Sequence, residues 1–138
     1  MLLAFQAQIA PPPEVRAELD TACASWRLAP VLPEIDTEIR TRTPQWPANM
    51  IPGDFNGDRK TDVAMLVECK GTVELVAFVA SGSGFVKHIL EPAQLFDARQ
   101  FLHLIRNEFE HDAIGVEYEA IGGHAWVLRD GRWHSVPY

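Results

Sequence analysis

The second half of this chain is a succession of short apolar runs cut by glycine-containing breaks, and that punctuation confines it to an antiparallel β architecture. Val63 to Glu68, Val73 to Ala80 and Phe85 to Leu90 are rich in β-branched and aromatic residues, and Lys70-Gly71 and Ser81-Gly82-Ser83-Gly84 separate them. Runs and breaks of this kind predict a hairpin meander. Ile114 to Ala120 alternates as a further strand, and Asp130-Gly131 joins Ala125 to Arg129 with Arg132 to Val136 in the strongest short-range hairpin signal of the chain. A two-residue turn there sets Arg129 opposite Arg132, Leu128 opposite Trp133 and Val127 opposite His134. Between these segments, Leu95, Ala98, Leu102, Ile105 and Phe109 fall at helical spacing, whereas Phe101 to Ile105 also fits a buried strand. The expectation is a short helical turn near Leu95 to Arg99 and then a strand.

The first half reads differently. After Pro11-Pro12-Pro13, the apolar residues Val15, Leu19, Ala22 or Cys23, and Trp26 are spaced as on a helix, with Glu14 in the first turn and Pro30 past the end. A helix over 14–29 follows, with Trp26 as a core anchor. From Pro30 to Pro52, five prolines and scattered charges predict an irregular connection in which Glu34 to Arg42 forms a short strand or turn. The expected organisation is a single domain: a terminal segment or signal-peptide remnant over 1–13, the helix, the Pro-rich connection over 30–52, and an acidic loop with a β meander over 53–138. The fold class is α+β, with the helix followed by a sheet of six or seven short antiparallel strands curled around it or packed on it.

One stretch carries a specific chemistry. In Gly53-Asp54-Phe55-Asn56-Gly57-Asp58-Arg59-Lys60-Thr61-Asp62, oxygen-bearing side chains recur at Asp54, Asn56, Asp58 and Asp62, immediately before the apolar run Val63 to Val67. Calcium takes six to eight oxygens, and a loop with carboxylates and amides at alternate positions, plus the Lys60 carbonyl, converges on one point when it curls around the ion. The competing reading is an Asp/Asn/Gly-rich turn whose side chains bond their own backbone without an ion. An EF-hand is excluded because Met65 stands where its bidentate Glu belongs.

The pattern Asp-Phe-Asn-Gly-Asp-x-x-x-Asp followed by an apolar strand resembles the calcium loop of FG-GAP and VCBS-type repeats. The resemblance spans Gly53 to Glu68 and implies a bound calcium ion, side-chain ligands from Asp54, Asn56, Asp58 and Asp62, a carbonyl ligand from Lys60 and an extracytoplasmic setting. Those repeats place glycine where this chain has Arg59. With one copy of the loop the chain cannot build a propeller by itself. The tail from Trp126 to Trp133 is also similar to the closing hairpin of small extracytoplasmic bacterial proteins that carry one such loop.

Composition narrows the partners. The 138 residues are 47% hydrophobic and 22% charged, with a formal net charge of -7 and no Lys/Arg cluster, which disfavours nucleic acid. No apolar run approaches a membrane span. That leaves a protein or glycan as the expected partner. Cys23 and Cys69 can close a disulfide in an oxidising compartment, which is the favoured reading, or remain as two buried thiols.

Catalytic motifs are sparse. His88, His103, His111, His124 and His134 lack zinc spacing. No Gly-x-Ser-x-Gly elbow or phosphate-binding glycine loop occurs. The remaining acid/base candidates are Glu108 with His111, and the carboxylate pairs Asp54 with Asp58 and Glu117 with Glu119, which serve a glycosidase only across a cleft. Trp46, flanked by Pro44 and Pro47, is a candidate contact for a partner enzyme. The sequence thus points to a non-enzymatic calcium-binding module, with a metal-dependent or acid/base hydrolase and a secreted inhibitor as alternatives.

Overall fold

A computed structural model describes residues 9–138. The expectation for the terminal segment falls mostly on residues 1–8, outside the described residues. Two helices and nine strands follow in the order α1 (Pro13–Ala22), β1 (Arg27–Leu28), α2 (Pro33–Arg42), β2 (Met50–Gly53), β3 (Asp62–Cys69), β4 (Thr72–Ser81), β5 (Gly84–Leu95), β6 (Gln100–Ile105), β7 (Ala113–Tyr118), β8 (Gly122–Arg129) and β9 (Arg132–Pro137). The strands form two antiparallel sheets rather than one. In the first the order is β1-β3-β4-β5, with β2 also paired to β3; in the second it is β6-β7-β8-β9.

The layers follow from which faces are apolar. Strand β3 is buried on both faces except at Cys69, which is why its sequence is a continuous apolar run rather than an alternating one. One face presents Val63, Met65 and Val67, joined by Val76 and Phe78 of β4, to Val15 and Leu19 of α1. The other presents Ala64 and Leu66, with Leu75 and Ala77, to Leu102, Ile114 and Val116 of the second sheet. The molecule is therefore a helix on a sheet on a second sheet.

Several expectations need correction here. The first helix stops at Ala22, not at 29, because Cys23 turns extended at φ -158° and ψ 109°. A disulfide joins Cys23 to Cys69 at the end of β3, and Trp26 then reaches the α1 cluster from the following turn, its indole N–H donating to Asp20 at 2.6 Å. The Pro-rich stretch is not all irregular: α2 spans the segment expected as strand or turn. Pro33 at its first position lacks only an N–H that a helix leaves unpaired anyway. Arg40 with Asp36 and Arg42 with Glu38 add spaced ion pairs on its surface. Strands number nine instead of six or seven. At 93–110 the strand expected at Phe101 to Ile105 is present as β6, while β5 runs through Leu95 and no helix separates them.

The turn chemistry held. Asp130 at φ 51° and Gly131 at φ 75° close the last hairpin with Arg129, Leu128 and Val127 opposite Arg132, Trp133 and His134. Lys70-Gly71 and Gly82-Ser83 make the two preceding two-residue turns, between Cys69 and Thr72 and between Ser81 and Gly84.

Candidate functional site

The acidic loop connects β2 to β3 and is fixed at its base by two buried groups. Phe55 is fully buried in the core between the sheets, edge-on to Trp133 with ring centroids 5.9 Å apart. Asp62, equally buried, accepts from the Phe55 N–H at 2.9 Å on one oxygen and from the Ala80 N–H at 2.8 Å on the other. The first bond closes the loop and the second ties it to β4.

Above that base the exposed tip curls around Asp54. Its carboxylate accepts from the N–H groups of Gly57 at 2.8 Å, Asp58 at 3.2 Å and Arg59 at 2.8 Å. Asn56 Oδ1 accepts from Asp58 N–H at 3.3 Å, and Asp58 Oδ1 accepts from Lys60 N–H at 2.9 Å. The curl needs left-handed backbone at Gly57, φ 78°, and at Arg59, φ 67°. Gly57 meets a further demand, because a Cβ there would overlap the His111 ring.

The electrostatics are one-sided. Burial raises the pKa of Asp62, the Ala80 and Phe55 N–H groups oppose this, and the charges of Asp58 and Asp54 raise it again. Among the described residues no Lys or Arg is ion-paired with Asp54, Asp58, Asp62 or Asp112, although Arg59 and Lys60 lie in the same loop. The loop's carboxylates are thus held by backbone N–H groups and not by a Lys or Arg side chain. Among the described residues, no three His, Cys, Asp or Glu side chains already stand close enough to hold a metal ion. A calcium ion here would draw on Asn56 and the Lys60 carbonyl as well as the carboxylates, which retain free lone pairs beside their backbone bonds.

Sequence reasoning treated the acidic loop and the segment around His111 as separate, but they are one structure. Asp112 Oδ2 accepts from the Asp54 N–H at 3.0 Å, and the Asp112 N–H donates to the Asp54 carbonyl at 3.2 Å. His111 backs Gly57. No local pattern reveals a pairing across 58 residues. Glu108 does not join His111; it accepts from the Tyr138 hydroxyl at 3.0 Å. The recess beside His111 and Asp112 holds only about 10 Å³, too small for a substrate.

A larger opening lies elsewhere. A cleft of about 670 Å³ runs between α2 and the junction of β2 with β6. Asn49 pins that junction, donating to the Ala29 carbonyl at 2.7 Å and accepting from the Leu102 N–H at 3.1 Å. Glu117 and Glu119 both stand at the β7 side of the cleft and do not flank it as a glycosidase pair would. His103 lies flat on Gly115, where a Cβ would collide with its ring. Its Nε2 is 3.2 Å from Glu117 Oε1 but outside hydrogen-bonding alignment. Trp46 lines the cleft while packing against the α1 cluster.

No protein-family model, curated protein or solved structure matches the chain.

Proposed function

We propose that this protein is a non-enzymatic binding module whose acidic loop takes calcium outside the cytoplasm. The observation that carries the reading is a loop already curled by backbone N–H bonds in which Asp54, Asp58 and Asp62, one of them buried, have no Lys or Arg ion-pair partner among the described residues. A divalent cation suits such a group, and Asp54, Asn56, Asp58, Asp62 and the Lys60 carbonyl supply hard oxygens for it. The FG-GAP and VCBS-like spacing agrees with this ligand set. The Cys23–Cys69 disulfide fits an oxidising compartment, where calcium is also abundant. Among the described residues no helix is long and apolar enough to cross a membrane.

Neither alternative gains an observation of its own. Glu108 and His111 do not share a pocket, and Trp46 is half-buried instead of protruding.

Calorimetric titration with calcium, followed in parallel by the melting temperature, tests the reading on the wild type and on Asp58→Ala. Saturable binding that the substitution abolishes is expected. A dissociation constant of ~0.1 mM at ~1 mM calcium stabilises the fold by about 1.4 kcal/mol. Absence of heat and of any melting shift up to ~10 mM, far above the range of extracellular modules, would falsify it.

A further inference from the structure

The cleft between α2 and the β2–β6 junction is not used by the calcium loop. Helix α2 buries only Ile35 fully among its residues, so it spans the cleft more than it fills it. The volume of about 670 Å³ lies inside the range of small-ligand clefts. Three aromatic rings line it: Trp46 on one side, Phe101 on the β6 face, and Tyr138, tilted 44° against His103 with ring centroids 5.8 Å apart.

Its charges are mixed in sign. Arg42 is paired with Glu38 at 2.7 Å on the helix side. Arg106 and His103 stand with Glu117 and Glu119 on the opposite side. Such a lining exerts little net field, so it does not select a strongly charged ligand. It offers guanidinium donors and carboxylate acceptors side by side, which suits hydroxyl groups that both donate and accept. Aromatic faces beside those groups suit the apolar C–H face of a sugar ring.

We infer that this cleft binds a neutral oligosaccharide, with Phe101 and Tyr138 as ring platforms and Glu119 and Arg106 as hydroxyl partners. The inference rests on the binding-module reading but not on the ion. An extended peptide is less well served, because the nearby Leu102 N–H of the β6 edge is already taken by Asn49.

The test is a titration of the isotope-labelled protein with cellotriose, maltotriose and triacetylchitotriose, each to about 10 mM, read by amide chemical shifts. Saturation by at least one of them is expected, with shifts confined to the cleft. Phe101→Ala should weaken binding at least tenfold. Because that change can disturb packing, Glu119→Gln, an exposed position, provides a second variant; it should weaken binding several-fold with an unchanged melting temperature. Saturation by none of the three sugars, shifts outside the cleft, or insensitivity to both variants would each overturn the proposal. Repeating the titration in a calcium chelator separates the two readings. Sugar binding that survives chelation supports the cleft whatever the loop does, and a calcium-binding protein that ignores all three sugars keeps the loop and loses the cleft.

Discussion

Arg59 holds φ 67° in the exposed tip of the acidic loop, a conformation that costs an L-residue about 1 to 2 kcal/mol. Glycine removes that penalty but brings a more disordered unfolded chain. Arg59→Gly should therefore raise unfolding free energy by about 1 kcal/mol at most, and on the proposed calcium reading should tighten the ion by removing a like charge beside it. Denaturant titration with and without calcium measures both; a loss of stability would mean that the arginine side chain makes an interaction worth more than the strain. Asp62 gives a pH signature. Its folded pKa is raised by burial first, with the Asp58 and Asp54 charges adding to the effect against the two N–H bonds. In the interval above the ordinary value of 3.8 the folded chain retains a proton that the unfolded chain has lost. Its contribution is therefore greatest below that value and falls as pH rises through the folded pKa. Asp62→Asn should remove this slope, and on the proposed calcium reading the ion should flatten it in the wild type by favouring the anion. A calcium-independent slope would separate Asp62 from the ion. The spacing of the loop made Asp54, Asn56, Asp58 and Asp62 legible in the sequence as an acidic constellation. That Asp62 clamps Phe55 and Ala80 was not legible, because the Ala80 contact lies 18 residues away.

At the scale of elements, the disulfide does for α1 what its short apolar stripe cannot. Only Val15 and Leu19 of that helix are fully buried, while Cys23 is linked to Cys69 across a separation of 46 residues. Loop-entropy reasoning assigns such a closure about 4 kcal/mol. Replacing both cysteines by serine should lower unfolding free energy by about 3 to 4 kcal/mol and release α1 first, seen as early loss of amide protection over 13–22; uniform loss across the sheets would mean that helix and sheet unfold as one. The strands were largely readable because their turns carry glycine and their runs are β-branched, and the last hairpin was readable to the residue. Helix α2 was not, since the prolines that bracket it look like punctuation. Pro33 in fact begins the helix, and the proline-free interval to Pro44 is long enough for nearly three turns.

Across the whole molecule, the two sheets are joined by apolar packing and by polar contacts, of which the Asn49–Leu102 bond is buried and a cluster around Glu91 part-buried. Where β4 pairs with β5, the register shifts on either side of Leu75 and Glu91. Such bulges re-aim side chains, and here Glu91 points out of its own sheet toward the second one. Its Oε2 accepts from Trp126 Nε1 at 2.7 Å and lies 2.7 Å from His124 Nε2, both on β8. The carboxylate is only 12% exposed, so it is held by these two side chains more than by water. Pro92 beside it is tolerated because β5 is an edge strand. None of this was legible in the sequence: a single Glu-Pro in a strand does not announce a partner 35 residues away. Glu91→Ala should cost about 2 to 4 kcal/mol by leaving the indole and imidazole nitrogens unpaired. Glu91→Gln retains an acceptor oxygen and should cost roughly half as much or less. Urea unfolding of the three proteins, monitored by tryptophan fluorescence and by far-ultraviolet dichroism, checks the order. Coincident transitions with a large loss for alanine would identify Glu91 as a clasp between the sheets. A loss below about 0.5 kcal/mol for alanine would instead leave their union to the apolar layer around Leu66, Leu102 and Ile114.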